Sequence, residues 1–332
     1  MITNLKLGAL ARAAVLALAS VLSPCLTPAW AQDYPSKPVR LLVPGAPGTV
    51  LETAARIIAP DMGKALGQAV VVESRPGAGG IIAYEHVIKQ SPADGYTVIL
   101  CASDLVTLPI FVKDLSFDPL RDLPPVSQVA EGVSVVFAPM TPAFGSYAEF
   151  IAYVKANPGK VNYGSAAFGQ PRLTLELIRQ KHDLDMQFVP YKGGSADTTR
   201  AILANEIQLS LHGEAVEPLT RERKVRALAI VGPQRLPNFP DVPTIAEVGV
   251  PEMPAGFAFT LHIRAGTSRP IIDRVHAATV AAVQTAEVKS QMAKFRIYPI
   301  GNTPEVALKR LTEQAAVFAS VARRAGLQPQ AQ

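Results

Sequence analysis

Apolar runs of strand length alternate with longer stretches whose apolar residues recur every three or four positions, and this alternation most narrows the folds open to the chain. Such a pattern belongs to parallel sheets covered by helices, so the expected class is α/β. Val39–Val43 (VRLLV) reads as a first strand, Ala69–Glu73 (AVVVE) as a second and Tyr96–Cys101 (YTVILC) as a third. Between them, Val50–Leu66 puts Leu51, Ala55, Ile58 and Met62 on one side of a helix that Pro60 is expected to kink or shorten. Ile81–Gln90 is a second helix. Three strands with intervening helices make a doubly wound half-sheet.

A proline-rich connection over Asp118–Pro125 precedes a strand at Ser134–Ala138 and a helix at Tyr147–Asn157, stopped by Pro158-Gly159. A second series follows, with strands at Val161–Ser165, Gln187–Pro190, Ile207–Leu211 and Val225–Val231 and helices at Arg172–Lys181 and Ser195–Asn205. The tail is mostly helical, over Pro270–Thr285 and Pro304–Ala325; Pro304 suits a first helical turn because its missing N–H has no intrahelical partner there. About 300 residues exceed what one compact core usually serves, which favours two lobes. If the C-terminal helices pack back on the first lobe, crossings near residues 130 and 250 divide the chain into lobe 1, 32–130 plus 250–332, and lobe 2, 131–249. Two crossings form a hinge, and a hinge lets a ligand-filled cleft close.

The first thirty-one residues have the form of a secretory leader: Lys6 and Arg12 are basic, Ala13–Leu22 is apolar, and Ala29-Trp30-Ala31 fits a cleavage signal, with export to the periplasm expected after cleavage at Ala31. Its apolar core of about ten residues is half of what a membrane-spanning helix needs. Pro24 before Cys25 fits a lipid-anchoring signal poorly, so Cys25 is expected to leave with the leader, and Cys101 alone cannot form an internal disulfide. Losing the leader removes Lys6 and Arg12 and no acid, which lowers the formal charge from +5 to +3. The one dense basic run, Arg221–Arg226, contains Glu222 and no aromatic residue and reads as a solvated helix end, so no nucleic-acid partner is expected.

Two glycine-bearing loops are candidate binding elements. Pro44–Thr49 ends the first strand and opens the first helix, where free N–H groups and the positive end of the helix dipole favour an anion; an ordinary strand-to-helix turn is the alternative. Arg75–Gly80 lets backbone approach a ligand closely, yet no Gly-Lys-Ser/Thr follows it, and Ile82 stands where a dinucleotide fingerprint has its third glycine. No Gly-x-Ser-x-Gly elbow, His-Glu-x-x-His or paired-cysteine spacing occurs, and His86, His182, His212, His262 and His276 are scattered. Neither an enzyme nor a metal or cofactor site is expected.

Taken in order, Tyr34–Arg40 (YPSKPVR), Pro44–Thr49, Val72–Gly80 (VESRPGAGG), Pro92–Thr97 (PADGYT), Phe117-Asp118-Pro119, Pro190–Gly193 (PYKG), Arg226–Ala229 (RALA) and Pro240–Thr244 (PDVPT) resemble the tripartite tricarboxylate transporter receptors, also called the Bug family of extracytoplasmic solute receptors. The resemblance implies a two-lobed periplasmic binding protein, type II-like, with a mainly parallel sheet and flanking helices in each lobe and a carboxylate enclosed between them. It implies a monomer whose partners are a small carboxylate and membrane permease subunits, or instead a periplasmic sensor domain. The family's binding loops fall on Ala46, Pro47, Gly48 and Thr49, on Gly79 and Gly80, on Ser103 and Asp104, on Ser165–Gln170 with Phe168 and Gly169, and on His212.

Departures from the family pattern bear on the ligand. Thr49 replaces the second of two glycines, and Glu52 stands where aspartate is common. Residues 165–172 are one short, which puts Arg172 within one residue of the family's histidine. His212-Gly213 falls where many members carry Asp-Asn, an acid able to hold a ligand's amino group; a neutral or cationic His212 suits a second carboxylate instead. The ligand expected is therefore a mono- or dicarboxylate without an amino group, with Asp104 as a complicating acid.

Overall fold

The structure, a computed structural model, describes residues 34–329 except 142, 192, 193, 214–216, 254 and 255. The expected leader, its cleavage point after Ala31 and Lys192-Gly193 of one quoted segment lie outside the described residues. The first sheet begins as the sequence pattern predicts, with β1 (Val39–Val43) between β2 (Val70–Ser74) and β3 (Thr97–Ala102), all parallel. Between β1 and β2 runs α1 (Val50–Leu66), which Pro60 does not end. Its start is a capping arrangement: the Thr49 hydroxyl accepts from the Glu52 N–H at 3.4 Å and the Glu52 carboxylate accepts from the Gly48 N–H at 3.2 Å. Gly67, with φ of 80°, closes its C-terminus. α2 (Ile81–Glu85) continues through a π-helical turn, His86–Gln90, and a 3₁₀ turn, Ser103–Thr107, leads from β3 into α3 (Leu108–Phe111).

The same sheet gains three strands that the amphipathic pattern does not mark: β4 (Pro125–Gly132), β10 (Phe257–Ile263) and β11 (Ile297–Pro299). Its order is β11-β4-β10-β3-β1-β2, with β10 antiparallel to both β3 and β4 and β11 antiparallel to β4, so it is more mixed than the expected parallel sheet. Two helices of the tail, α8 (Arg269–Gln284) and α9 (Ala286–Lys294), pack against α1.

Directly after β4 the chain enters a smaller half. There β5 (Ser134–Pro139) lies between β8 (Ser210–Gly213) and β9 (Val225–Val231), antiparallel to each. β6 (Val161–Ser165) and β7 (Met186–Pro190) form a parallel pair, and a parallel bridge from Tyr163 to Leu209 joins them to the approach to β8. The helices here are α4 (Tyr147–Ala156), α5 (Gln170–Lys181), α6 (Gly194–Leu203) and α7 (Glu217–Arg221). The two passages between halves touch: a Cβ on Gly256 would sit 2.2 Å from the Ser134 backbone nitrogen, so only glycine allows the strands to cross so closely.

The last helix, α10 (Pro304–Arg324), spans both halves and is not confined to the first. Near its start Arg310 donates to Gln128 of β4 at 3.0 Å, and near its end the Val321 carbonyl accepts from Gln180 of α5 at 2.9 Å. Leu311, Phe318 and Val321 share one buried cluster with Leu173, Leu177 and Ile178 of α5.

Candidate functional site

Because β1, β2 and β3 are parallel and adjacent, the loops that follow them emerge at one sheet edge. Those loops carry Ala46–Thr49, Gly79–Gly80 and Ser103–Asp104. In the smaller half the parallel bridge from Tyr163 to Leu209 puts Ser165 and His212 at a common edge as well. Gly213 pairs with Ser134, so that edge adjoins the passage between halves.

Asp104 joins the two sides. Its Oδ1 accepts from the Gln170 N–H, the first residue of α5, at 2.8 Å. A carboxylate at a helix N-terminus faces unpaired N–H groups and the favourable end of the dipole. The chain reaches this geometry through Gly169, whose φ of 98° disfavours any side chain and whose Cβ would come within 2.8 Å of the same oxygen. Burial raises the Asp104 pKa, and the Gln170 N–H opposes that rise. The residue is nonetheless exposed to solvent. Water at the exposed carboxylate offsets part of this desolvation.

Gly79 and Gly80 both have positive φ. Gly80 lies against Tyr84, one helical turn on, whose buried phenol is pushed up by burial first and by Cys101 and Asp104 next. Gly80, Tyr84, Asp104, Gly169 and Gln170 thus form one neighbourhood. Gln170 is buried and also donates through Nε2 to the Gly256 carbonyl, at the passage between halves. Phe168, exposed, meets Phe111 of α3 with ring centroids 5.4 Å apart, a second contact between the halves.

Other expected residues serve the framework. The Ser103 hydroxyl bridges the Ala258 N–H at 2.8 Å and carbonyl at 3.2 Å, locking β3 to β10. The Gly48 amide is taken by Glu52 and the Thr49 amide donates to Ala46 O at 3.3 Å, so this exposed turn keeps fewer free N–H groups than its position promises; Ala46 and Pro47 are exposed beside them. Ser165 donates to Ala166 O at 2.8 Å. Arg172 folds back, donating to Ala167 O at 3.1 Å with its guanidinium 3.9 Å from the Phe188 ring centre, and desolvation lowers its pKa.

His212 is buried, with Nε2 2.5 Å from the Thr198 hydroxyl, Nδ1 3.4 Å from the Thr199 hydroxyl and its ring edge-on to Phe137. Burial lowers its pKa to about 4, which makes the ring neutral at pH 7 and leaves the neutral form of the two considered. Tyr84, Phe111 and Gly256 were missed by sequence reasoning. Tyr84 stands four residues after Gly80, a spacing that could have drawn attention to it; Phe111 and Gly256 carry no local signal.

The model of a family described as tripartite tricarboxylate transporter family receptor matches residues 54–324. Protein BugT of Bordetella pertussis is 32% identical over 305 residues, covering 90% of this chain and 92% of that one. Among solved structures, an adipate-bound protein of R. palustris superposes with a TM-score of 0.75 at 29% identity, covering 90% of this chain and 100% of the other. MatC of Rhodopseudomonas palustris with bound malate gives 0.71 at 27% identity, with 87% and 100% covered.

Proposed function

The chain belongs to the tripartite tricarboxylate transporter receptor family, and from that premise we propose that it captures a small mono- or dicarboxylate without an amino group between its two lobes and delivers it to a membrane permease. Membership makes it a solute-binding receptor, not an enzyme, of a family whose receptors are periplasmic. The observation that carries the ligand reading is His212, buried and engaged by Thr198 and Thr199 at the position where an acid would hold a ligand's amino group. The adipate and malate held by two similar proteins support the same class.

The lobes we propose are 32–130 plus 250–332 and 131–249, with closure about the touching passages at Val133 and Gly256. An ammonium group is disfavoured because His212, where an acid would serve it, is neutral and engaged by Thr198 and Thr199. Asp104, the acid that remains, is committed to Gln170. Isothermal titration of the mature protein with adipate, malate, glutamate and aspartate tests this reading. Saturable binding of the first pair alone is expected, and binding of the second pair alone would overturn the ligand class while leaving the receptor assignment standing. Delivery to a permease predicts that a ligand binding tightly in vitro is no longer taken up by cells lacking this gene.

A further inference from the structure

The end of the smaller half farthest from the passages holds a cavity of about 780 Å³ whose wall includes Tyr147, Ile151, His182, Arg226, Val242 and Val248. Strand register places it there: Arg226 lies opposite Ala138, whereas Ser134, at the passage, lies opposite Val231. Two of the segments quoted from the sequence and unused by the cleft, Arg226–Ala229 and Pro240–Thr244, contribute to this wall.

Three buried polar atoms of the wall residues have no hydrogen-bond partner among the described residues: the Tyr147 hydroxyl, His182 Nε2 and Arg226 Nε. Buried polar atoms are nearly always paired, so three around one cavity mark a place where a partner fits. Tyr147 is only 4% exposed, and the His182 ring stands edge-on to it with centroids 5.6 Å apart. Arg226 is oriented by its donation to Gly145 O at 3.0 Å, which leaves Nε as a donor without an acceptor. Burial first and Lys155 second lower the His182 pKa, and a backbone hydrogen bond with Val248 opposes them, which leaves Nε2 as the ring nitrogen without a partner among the described residues.

The charges around the cavity select against ions of either sign. Glu149 accepts from the Gly145 N–H, Asp241 lies in the wall, and Glu247 is held by Arg235 at 3.1 Å and by the Thr244 N–H at 2.6 Å. The wall thus holds Arg226 beside carboxylates that are already engaged, a mixture that offers neither an anion nor a cation a field of one sign. An uncharged group that both donates and accepts needs no such field and pairs with the phenol, the imidazole and the guanidinium, while Ile151, Val242 and Val248 receive an apolar body.

We propose that this cavity is a second binding site, separate from the cleft, for a small uncharged amphipathic molecule bearing a carboxamide or hydroxyl group.

Four probes with one apolar body test it: benzamide, benzyl alcohol, benzoate and benzylamine, titrated into the mature protein while backbone amide resonances are followed. Benzamide and benzyl alcohol are expected to shift Tyr147–Ile151 and Val242–Val248 saturably while Gly169 and Gln170 stay unmoved. Tyr147→Phe, which keeps the ring, should weaken benzamide by about tenfold, the equivalent of one buried hydrogen bond, and Ile151→Trp should block it by filling the cavity. Absence of saturable shifts there, equal affinity in wild type and both variants, or tighter binding of benzoate than of benzamide at these resonances would overturn the proposal. Because the cleft reports through Gly169 and Gln170, failure here is distinguishable from failure of the carboxylate reading.

Discussion

The two ends of the smaller half treat their polar groups in opposite ways. At the end beside the passages, His212 has a hydroxyl at each ring nitrogen, and Asp104 reaches across to the Gln170 N–H. At the far end, Tyr147, His182 and Arg226 each bury an atom with no partner among the described residues. Both histidines are pushed below their ordinary pKa by burial, so burial does not separate them; His212 has a partner at both ring nitrogens, whereas Nε2 of His182 has none among the described residues. The difference teaches that a ligand entering the cleft must compete with bonds the protein already makes to itself, whereas one at the far end only adds bonds.

The sharpest way to break this comparison is at Gly169. Gly169→Ala puts a Cβ into a backbone conformation with φ of 98° and within 2.8 Å of Asp104 Oδ1. We expect a loss of about 3 kcal/mol in urea denaturation, since such conformations belong almost wholly to glycine. Adding Asp104→Ala removes the colliding oxygen, so the double variant should lose less than the sum of the two single losses. Strict additivity would mean that the carboxylate does not rest on Gly169.

Acid should act next, and at the partnered end it acts through His212. His212 and His262 both have folded pKa values near 4, while an unfolded histidine titrates near its ordinary 6.5. The unfolded chain therefore binds more protons between these values, and stability present above pH 6.5 is lost as pH falls toward 4. For His212 alone the loss between pH 7 and 4.5 is about 2 kcal/mol. Replacing it in His212→Gln should flatten that part of the profile, and an unchanged slope would show that the ring is not held neutral by its surroundings.

Much of this fold was legible in the sequence because burial on both faces leaves an uninterrupted apolar run. β1 and β3 match their expected spans to within a residue or so, and α1 ran through Pro60 because a cap at Thr49 and another at Gly67 hold both of its ends. β4 and β10 were not legible. Pro125, Ser127, Gln128 and Glu131 break up one pattern and Thr260 and His262 the other, and some of these residues find partners far along the chain, such as Asn302 O for Ser127 and Leu123 O for His262. The candidate site divides in the same way. Its glycine loops have local signatures, but the pairing of Asp104 with Gln170 spans 66 residues and no spacing announces it.

The smallest expected effect sharpens the comparison most directly, because it uses one substitution at two tyrosines. Tyr163 and Tyr147 both bury their phenols in the same half, and burial raises the pKa of each. Tyr163 donates to the buried Glu176 at 2.5 Å, and Glu176 in turn holds Arg179 at 2.9 Å, whereas Tyr147 has no acceptor among the described residues. Tyr163→Phe removes a bond to a carboxylate that stays buried, so it should cost about 2 kcal/mol. Tyr147→Phe removes a polar atom whose desolvation nothing offsets, so the unliganded protein should gain up to about 1 kcal/mol. Urea midpoints measured side by side at pH 7 decide between them. Opposite signs would establish that the two phenols differ in partnership alone, while a loss at Tyr147 as large as that at Tyr163 would mean that its hydroxyl already has a partner within the protein, and the far end would then resemble the cleft.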